Sequence, residues 1–424
     1  MKEGNNNKAF IFILANGHEL VARMPFPTAG PRKLITRSEV ATVKYLGGNP
    51  SLPVRKVLAW KVEWNDPIPA EYIIMERKPG VSLFSKWGHM TTEQHVQAIR
   101  KVAQLCKETY NLQFPAYGSL YFSDMVLEEG DKIHLRNGYC IGPRVGQDFW
   151  NSSAGEAALF GNTGFDHGPW RDMDSYKQAF SASAFSRIPP IEYDCSKLPS
   201  FQGTIEEHYT LVGQLSALFS EYTTFPQDIL RPTVMHPYLS ARNILVSESD
   251  PTVITGLLDW HSTAIEPALR YASTMNPEIA RGPELCIVEI HEQSRADMQA
   301  CFNEFNAYLC RDMPAIHEAA TAFGELPHLF YLSRLTWRGG VTMIRENLIK
   351  LCHEIGVMRP GVFAYYPSRE ERDKHAQQMQ DHILATGVKE KVVGAILCDA
   401  DGHVKMPLWE PTVEIYRQLH VQWI

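Results

Sequence analysis

Long apolar runs are missing from this chain. No eighteen consecutive apolar residues occur, which leaves no candidate for a membrane-spanning helix. The opening Met1 to Asn7 lacks the apolar core of a secretory leader. A basic surplus is missing too: 41 Lys and Arg stand against 48 Asp and Glu, for a net charge of -7. A broad phosphate-backbone footprint needs clustered cations, so nucleic acid is excluded as a partner. Cysteine is sparse and unpaired in pattern. Cys106, Cys140, Cys195, Cys286, Cys301, Cys310, Cys352 and Cys398 form no C-x-x-C pair and no zinc spacing with histidine. Free thiols in a reducing compartment follow, and with them the expectation of a soluble cytoplasmic protein without a membrane partner.

What is present is an ordinary globular composition, 44% hydrophobic and 21% charged over 424 residues, long enough for two lobes around a cleft. Residues 9 to 24 read as a hairpin, with Ala15-Asn16-Gly17 as its turn. Thr36 and Glu39 have the spacing of a capping box ahead of Val40, Val43 and Leu46 at helical intervals, before Gly47-Gly48. Val54 to Val62 and Glu71 to Met75 read as strands, and Lys78-Pro79-Gly80 breaks the pattern. Beyond it the signals turn helical. Capping boxes begin at Thr91, Thr204 and Ser368, predicting helices to about Tyr110, Tyr222 and Thr386, the last stopped by Gly387. An α+β, two-lobed architecture follows: residues 1–78 as a sheet lobe with one helix, and 79–424 as a helical lobe carrying an aromatic-rich insert over 115–200.

The chemistry concentrates in 234–262. His236, Tyr238 and Asn243 occupy the three places of an H-x-D-x-x-x-x-N loop, with tyrosine where the aspartate belongs. Ile244 to Val246 and Val253 to Leu258 read as two adjacent strands, which would bring Asn243 beside Asp259, oxygen donors suited to a hard cation. Asp399-Ala400-Asp401-Gly402 imitates the start of a calcium loop but lacks its closing glutamate, so it reads as a turn.

Taken together, Val21 to Pro25, Ser38 to Thr42, Glu71 to Glu76, Pro115 to Leu120, His236 to Val246 and Leu258-Asp259-Trp260 resemble the aminoglycoside phosphotransferase and choline kinase branch of the protein-kinase-like superfamily, its fungal subgroup above all. The resemblance implies a protein-kinase-like fold, ATP and Mg2+ as cofactors, and a small-molecule substrate. It implies that Arg23 steadies the nucleotide phosphates and pairs with Glu39, that the backbone of Glu76 meets adenine at the interlobe hinge, and that Asp259 and Asn243 hold the metal.

Three departures stand against it. Tyr238 offers a phenol with an ordinary pKa near 10, which is no carboxylate base at neutral pH. Gly4 to Asn7, where a phosphate-covering loop belongs, has no strand ahead of it to anchor it. Ser240 is shorter than the residue the family carries there. Arg242 reads as a solvated loop position. The reading that follows is a repurposed small-molecule enzyme of specialised metabolism, doing non-phosphorylating acid-base chemistry with Tyr238, His236 or His261, His236 reading first as a brace of the loop and only then as an acid-base group. A phosphotransferase with an altered base and a nucleotide-binding pseudokinase are the alternatives. The aromatic run Phe149-Trp150, Phe160, Phe165 and Trp170 is expected to favour a bulky organic ligand.

Overall fold

The computed structural model describes residues 2–4, 6–63, 68–125, 132–146, 149–150, 166–221, 226–275, 292–322, 330, 336–337, 339–358, 365–395, 404 and 408–423. Its first lobe is a five-stranded antiparallel sheet built from β1 (Lys2–Glu3), β2 (Asn7–Ile13), β3 (Glu19–Pro25), β4 (Val57–Lys61) and β5 (Tyr72–Glu76), in the order β1-β2-β3-β5-β4. The hairpin has the expected turn, and its register sets Ala9 opposite Arg23. Because strand side chains alternate, Val21 and Arg23 share one buried face of β3 while Ile73 and Met75 share that of β5. The anchor that seemed missing ahead of Gly4 exists. Two residues suffice: β1 pairs with β2 through Lys2 to Ala9 and Glu3 to Lys8, and Gly4 N–H donates to Asn7 O at 3.0 Å.

Helix α1 (Leu34–Leu46) lies against this sheet and buries Val40, Val43 and Leu46. Each fully buried aliphatic side chain of this kind contributes about 1.5–3 kcal/mol. Its N-terminus is not where the capping-box spacing put it. Thr36 and Glu39 sit inside the helix, and no local side chain caps it. Glu71, arriving just ahead of β5, does the capping from a distance: it accepts from Lys33 N–H at 2.8 Å and from the Thr36 hydroxyl at 2.6 Å. Glu39 is thereby left free for another partner.

The chain leaves the sheet through Lys78-Pro79-Gly80. Gly80 has φ of 116°, and a Cβ there would stand 2.4 Å from Val246 O, so this position requires glycine. A short strand β6 (Val81–Ser82), helix α2 (Leu83–Trp87) and helix α3 (Thr92–Tyr110) follow. Thr91 and Gln94 cap α3 reciprocally as expected, and α3 packs along the helix Glu292–Asp312. The capping pairs Thr204 with Glu207 and Ser368 with Glu371 also form, at 2.7–3.1 Å. The helix behind Ser368 runs on through Gly387 to Ala395. Glycine costs a helix interior only about 1 kcal/mol, which its neighbours outweigh here.

The insert contains a three-stranded sheet of β7 (Ser119–Phe122), β8 (Ile133–His134) and β9 (Tyr139–Gly142), then the helix Met173–Ser186. Phe149 and Trp170 are buried with Tyr176 and Phe180 in the core of the helical lobe, and Trp150 packs on the same cluster. They are structural rather than ligand-facing; Phe160 and Phe165 lie outside the described residues, as does the segment Asp399 to Gly402. A second buried cluster is continuous between the lobes, joining Val40 and Leu46 of α1 to Ala98 and Val102 of α3 and to Ile244 and Leu257. Small antiparallel sheet, single helix, glycine break and helical lobe make up the expected protein-kinase-like arrangement. Among the described residues no helix is long and apolar enough to cross a membrane.

Candidate functional site

Strands β10 (Pro232–Val234), β11 (Ile244–Val246), β12 (Ile254–Leu257) and β13 (Ile265–Pro267) frame the loop region. β11 pairs with β12 in a register that sets Ile244 opposite Leu257, and Leu258 N–H donates to Asn243 O at 2.8 Å. Asn243 and Asp259 therefore leave the same end of one ribbon. Both line a cleft of about 760 Å³ between the sheet and the helical lobe, together with Tyr238 and His261. Asp259 has φ of 70°, a left-handed conformation that aspartate tolerates better than most residues and that turns the chain sharply at the cleft wall.

Arg23 is the hub. Its guanidinium contacts the Glu39 carboxylate directly, and its other terminal nitrogen lies 3.5 Å from Asp259 Oδ1. Glu39, released from capping by Glu71, is thus a cleft residue; burial pushes its carboxyl above the ordinary value, against the pull of Arg23. Asp259 Oδ1 also lies 2.7 Å from His261 Nδ1. Burial raises the Asp259 carboxyl, but His261 and Arg23 outweigh it and hold the group well below the usual carboxylate range, ionised at neutral pH. The far nitrogen of His261, Nε2, stands 2.9 Å from the Asn6 amide. Asn6 therefore reaches across the cleft to the helical lobe. Tyr238 lays its ring parallel to that of His261, with centroids 4.6 Å apart.

His236 takes the bracing place read first for it, and the acid-base alternative loses its free ring nitrogen. Its Nε2 donates to Leu258 O at 2.6 Å, and its Nδ1 accepts from Tyr238 N–H at 3.1 Å. Burial lowers its pKa to about 4, so the ring is neutral and both nitrogens are occupied by backbone. It braces the loop. Glu76 stands outside the cleft lining; its carboxylate lies 3.9 Å from Lys56, and the hinge wall is formed by Met75, Arg77 and Lys78. Arg242 is exposed, as read, and at the cleft mouth its guanidinium lies 4.1 Å from the Phe84 ring centroid. The Ser240 hydroxyl is buried in the same lining with no hydrogen-bond partner among the described residues.

The residues present suit a hard cation. The Asn243 amide donates its Nδ2 hydrogen to Tyr238 O at 2.9 Å, which turns Oδ1 away from that contact, and Asp259 keeps its Oδ2 clear of the contacts that Oδ1 makes. Two protein oxygens are what magnesium takes when substrate phosphates and water complete its octahedron. No cluster of three His, Cys, Asp or Glu side chains that could hold a metal occurs among the described residues.

Asn6, Arg55, Arg77 and Lys78 also line the cleft. Asn6 lies in the flagged Gly4 to Asn7 loop and could have been found there. Arg55 carries no motif, and only the pairing of β4 with β5 brings it in.

No family model matches the chain. A subtelomeric hrmA-associated cluster protein of Aspergillus fumigatus is 26% identical over 483 aligned residues, covering 100% of this chain and 92% of that one. Altered inheritance of mitochondria protein 9 of Lachancea thermotolerans is 26% identical over 62% of this chain and 47% of its own length. Relatives bearing that name in Eremothecium gossypii and Saccharomyces cerevisiae are likewise designated mitochondrial, which overturns the cytoplasmic expectation. Among solved structures, a thermostable mutant of aminoglycoside phosphotransferase APH(4)-Ia in complex with ADP and hygromycin B is similar over 82% of this chain and 92% of that one, with 14% identity and a TM-score of 0.41.

Proposed function

We propose that this chain binds a magnesium nucleoside triphosphate in the interlobe cleft and acts on a small molecule as a phosphotransferase with a weakened base. The observation that carries this reading is Arg23 joined at once to Glu39 and Asp259. That arrangement fixes a cation at the cleft wall beside the Asp259 carboxylate, which supports a role in the positioning and charge neutralisation that phosphoryl transfer needs. Asn243 and Asp259 would hold the magnesium, which would neutralise charge on the phosphates. Arg23 would donate to a phosphate oxygen, and the Asn6 loop would close over the chain. Tyr238, at the place of the acceptor's carboxylate, can orient a hydroxyl by hydrogen bonding but cannot take its proton at neutral pH.

The test is thermal unfolding with and without millimolar Mg-ATP and Mg-GTP. A ligand bound only by the folded state at about 100 times its Kd adds about 2.7 kcal/mol. The protection should vanish in Arg23→Met and Asp259→Asn. A melting temperature that neither nucleotide moves removes this reading.

A second reading, non-phosphorylating acid-base chemistry, draws on one observation: Asp259 orients His261 at 2.7 Å beneath the Tyr238 ring. It differs in requiring no nucleotide. Protection by an organic metabolite without Mg-nucleotide, lost in His261→Gln, would favour it over the first.

A further inference from the structure

Asn6 and His261, 255 residues apart in the chain, meet at 2.9 Å across the cleft, and each is anchored on its own side. Phe26 N–H donates to Asn6 O at 2.9 Å, and Gly4 N–H donates to Asn7 O at 3.0 Å. His261 is 2% exposed, with its ring laid parallel to Tyr238 at 4.6 Å. The chain around it bends sharply, with φ of 70° at Asp259 and 58° at Ser262. This bond therefore ties one fixed group to another.

The hydrogens along the contacts can be placed. Asp259 is held ionised and can only accept, so His261 Nδ1 carries the hydrogen of the 2.7 Å contact. In the neutral ring Nε2 is then an acceptor, and the Asn6 amide Nδ2 is the matching donor. Asn6 thus selects one tautomer of His261, and that tautomer aims its N–H at Asp259 Oδ1. Arg23 approaches the same oxygen from the sheet lobe at 3.5 Å. Both contacts fall on Oδ1, so Oδ2 is the oxygen left for a metal. Without them the carboxylate would turn about χ2, a broad two-fold torsion, and would lose that freedom only on binding. Outer-shell partners that fix a ligating carboxylate raise metal affinity for this reason.

Resting on the magnesium-nucleotide reading above, we infer that His261 is a positioning residue for the Asp259 carboxylate and that Asn6 locks it in place, so that docking of Asn6 on the helical lobe and metal binding at Asp259 strengthen each other. His261 touches neither nucleotide nor metal in this arrangement. Its effect is carried by one hydrogen bond to Asp259, and the influence of Asn6 passes through the same ring. Coupling of this kind is reciprocal.

Calorimetric titration of the full chain with magnesium, at fixed ATP and again at fixed GTP, tests this. His261→Ala should weaken the apparent magnesium affinity about 10- to 100-fold. Asn6→Ala should weaken it about 3- to 10-fold, the worth of one neutral hydrogen bond. His261→Asn keeps an N–H in the place of Nδ1 and offers nothing in the place of Nε2, so it should match Asn6→Ala rather than His261→Ala. Combining His261→Asn with Asn6→Ala should cost no more than either alone. Should His261→Ala fail to fold, the two milder variants and their combination carry the test. Magnesium affinities within about twofold of the parent in both would overturn the positioning role. Losses that multiply in the double variant would overturn the coupling through His261, placing Asn6 on the ligand directly. If the unaltered protein gives no binding heat with either nucleotide and magnesium, the nucleotide reading itself is refuted.

Discussion

Replacing His236 by asparagine should remove a specific part of this protein's acid sensitivity. In the fold the His236 ring is neutral, with a pKa lowered from 6.5 to about 4 by burial. The unfolded chain therefore binds more protons between those two values. Stability from this group is complete above about pH 6.5 and drains away as the pH falls toward about 4. For these pKa values the loss between pH 7 and pH 5 is roughly 2 kcal/mol. The figure is an upper one, because the side chain keeps part of its surface open to solvent. His208, wholly buried and also lowered to about 4, contributes with the same sign, so the comparison must be between the two proteins. Asparagine keeps an acceptor in the place of Nδ1 for Tyr238 N–H, is too short to replace Nε2 at Leu258 O, and does not titrate; the cost of that lost bond is the same at both pH values and cancels in the pH difference. Urea unfolding at pH 7 and pH 5 should show H236N losing less stability than the parent by up to about 2 kcal/mol. Should the variant fail to fold, NMR titration of the His236 ring in the parent reads the same quantity. Identical losses in the two proteins, or a ring that titrates near 6.5, would show that the imidazole is not held neutral and reopen an acid-base role for it.

Glu71→Ala should destabilise the fold by about 2–3 kcal/mol, because it removes a helix cap and strands the buried Thr36 hydroxyl; a loss under about 0.5 kcal/mol in urea unfolding, the range of ordinary surface changes, would deny the capping role. Tyr238→Asp should raise phosphate transfer to a bound acceptor, or to water, by about 10²- to 10⁴-fold. A radiolabelled-nucleotide assay in which the variant stays as slow as the parent would show that the missing carboxylate is not what limits turnover.

The parts of this molecule legible from sequence are those whose cause is local. Three capping boxes, at Thr91, Thr204 and Ser368, form as their spacing demands, since both partners of such a box lie within one turn. The same spacing at Thr36 misleads, because Glu71, 35 residues away in the chain, supplies a stronger cap and shifts the helix start upstream. The functional consequence follows directly. A Glu39 occupied at the helix end could not reach Arg23, whereas a Glu39 one turn inside the helix is carried to the cleft wall. The Asn243 to Asp259 juxtaposition was likewise readable, two short strands being enough to enforce it. What pattern alone could not supply was the neighbourhood: that Asn6 crosses to His261, that Arg55 is drawn beside Arg77 by the pairing of β4 with β5, and that the aromatics of the insert turn inward to the core. Each depends on residues distant in sequence meeting in space. Chemistry of the individual side chain becomes informative only then: a lone arginine in a composition count says nothing, while Arg23, held between Glu39 and Asp259, sets a fixed cation at the cleft wall.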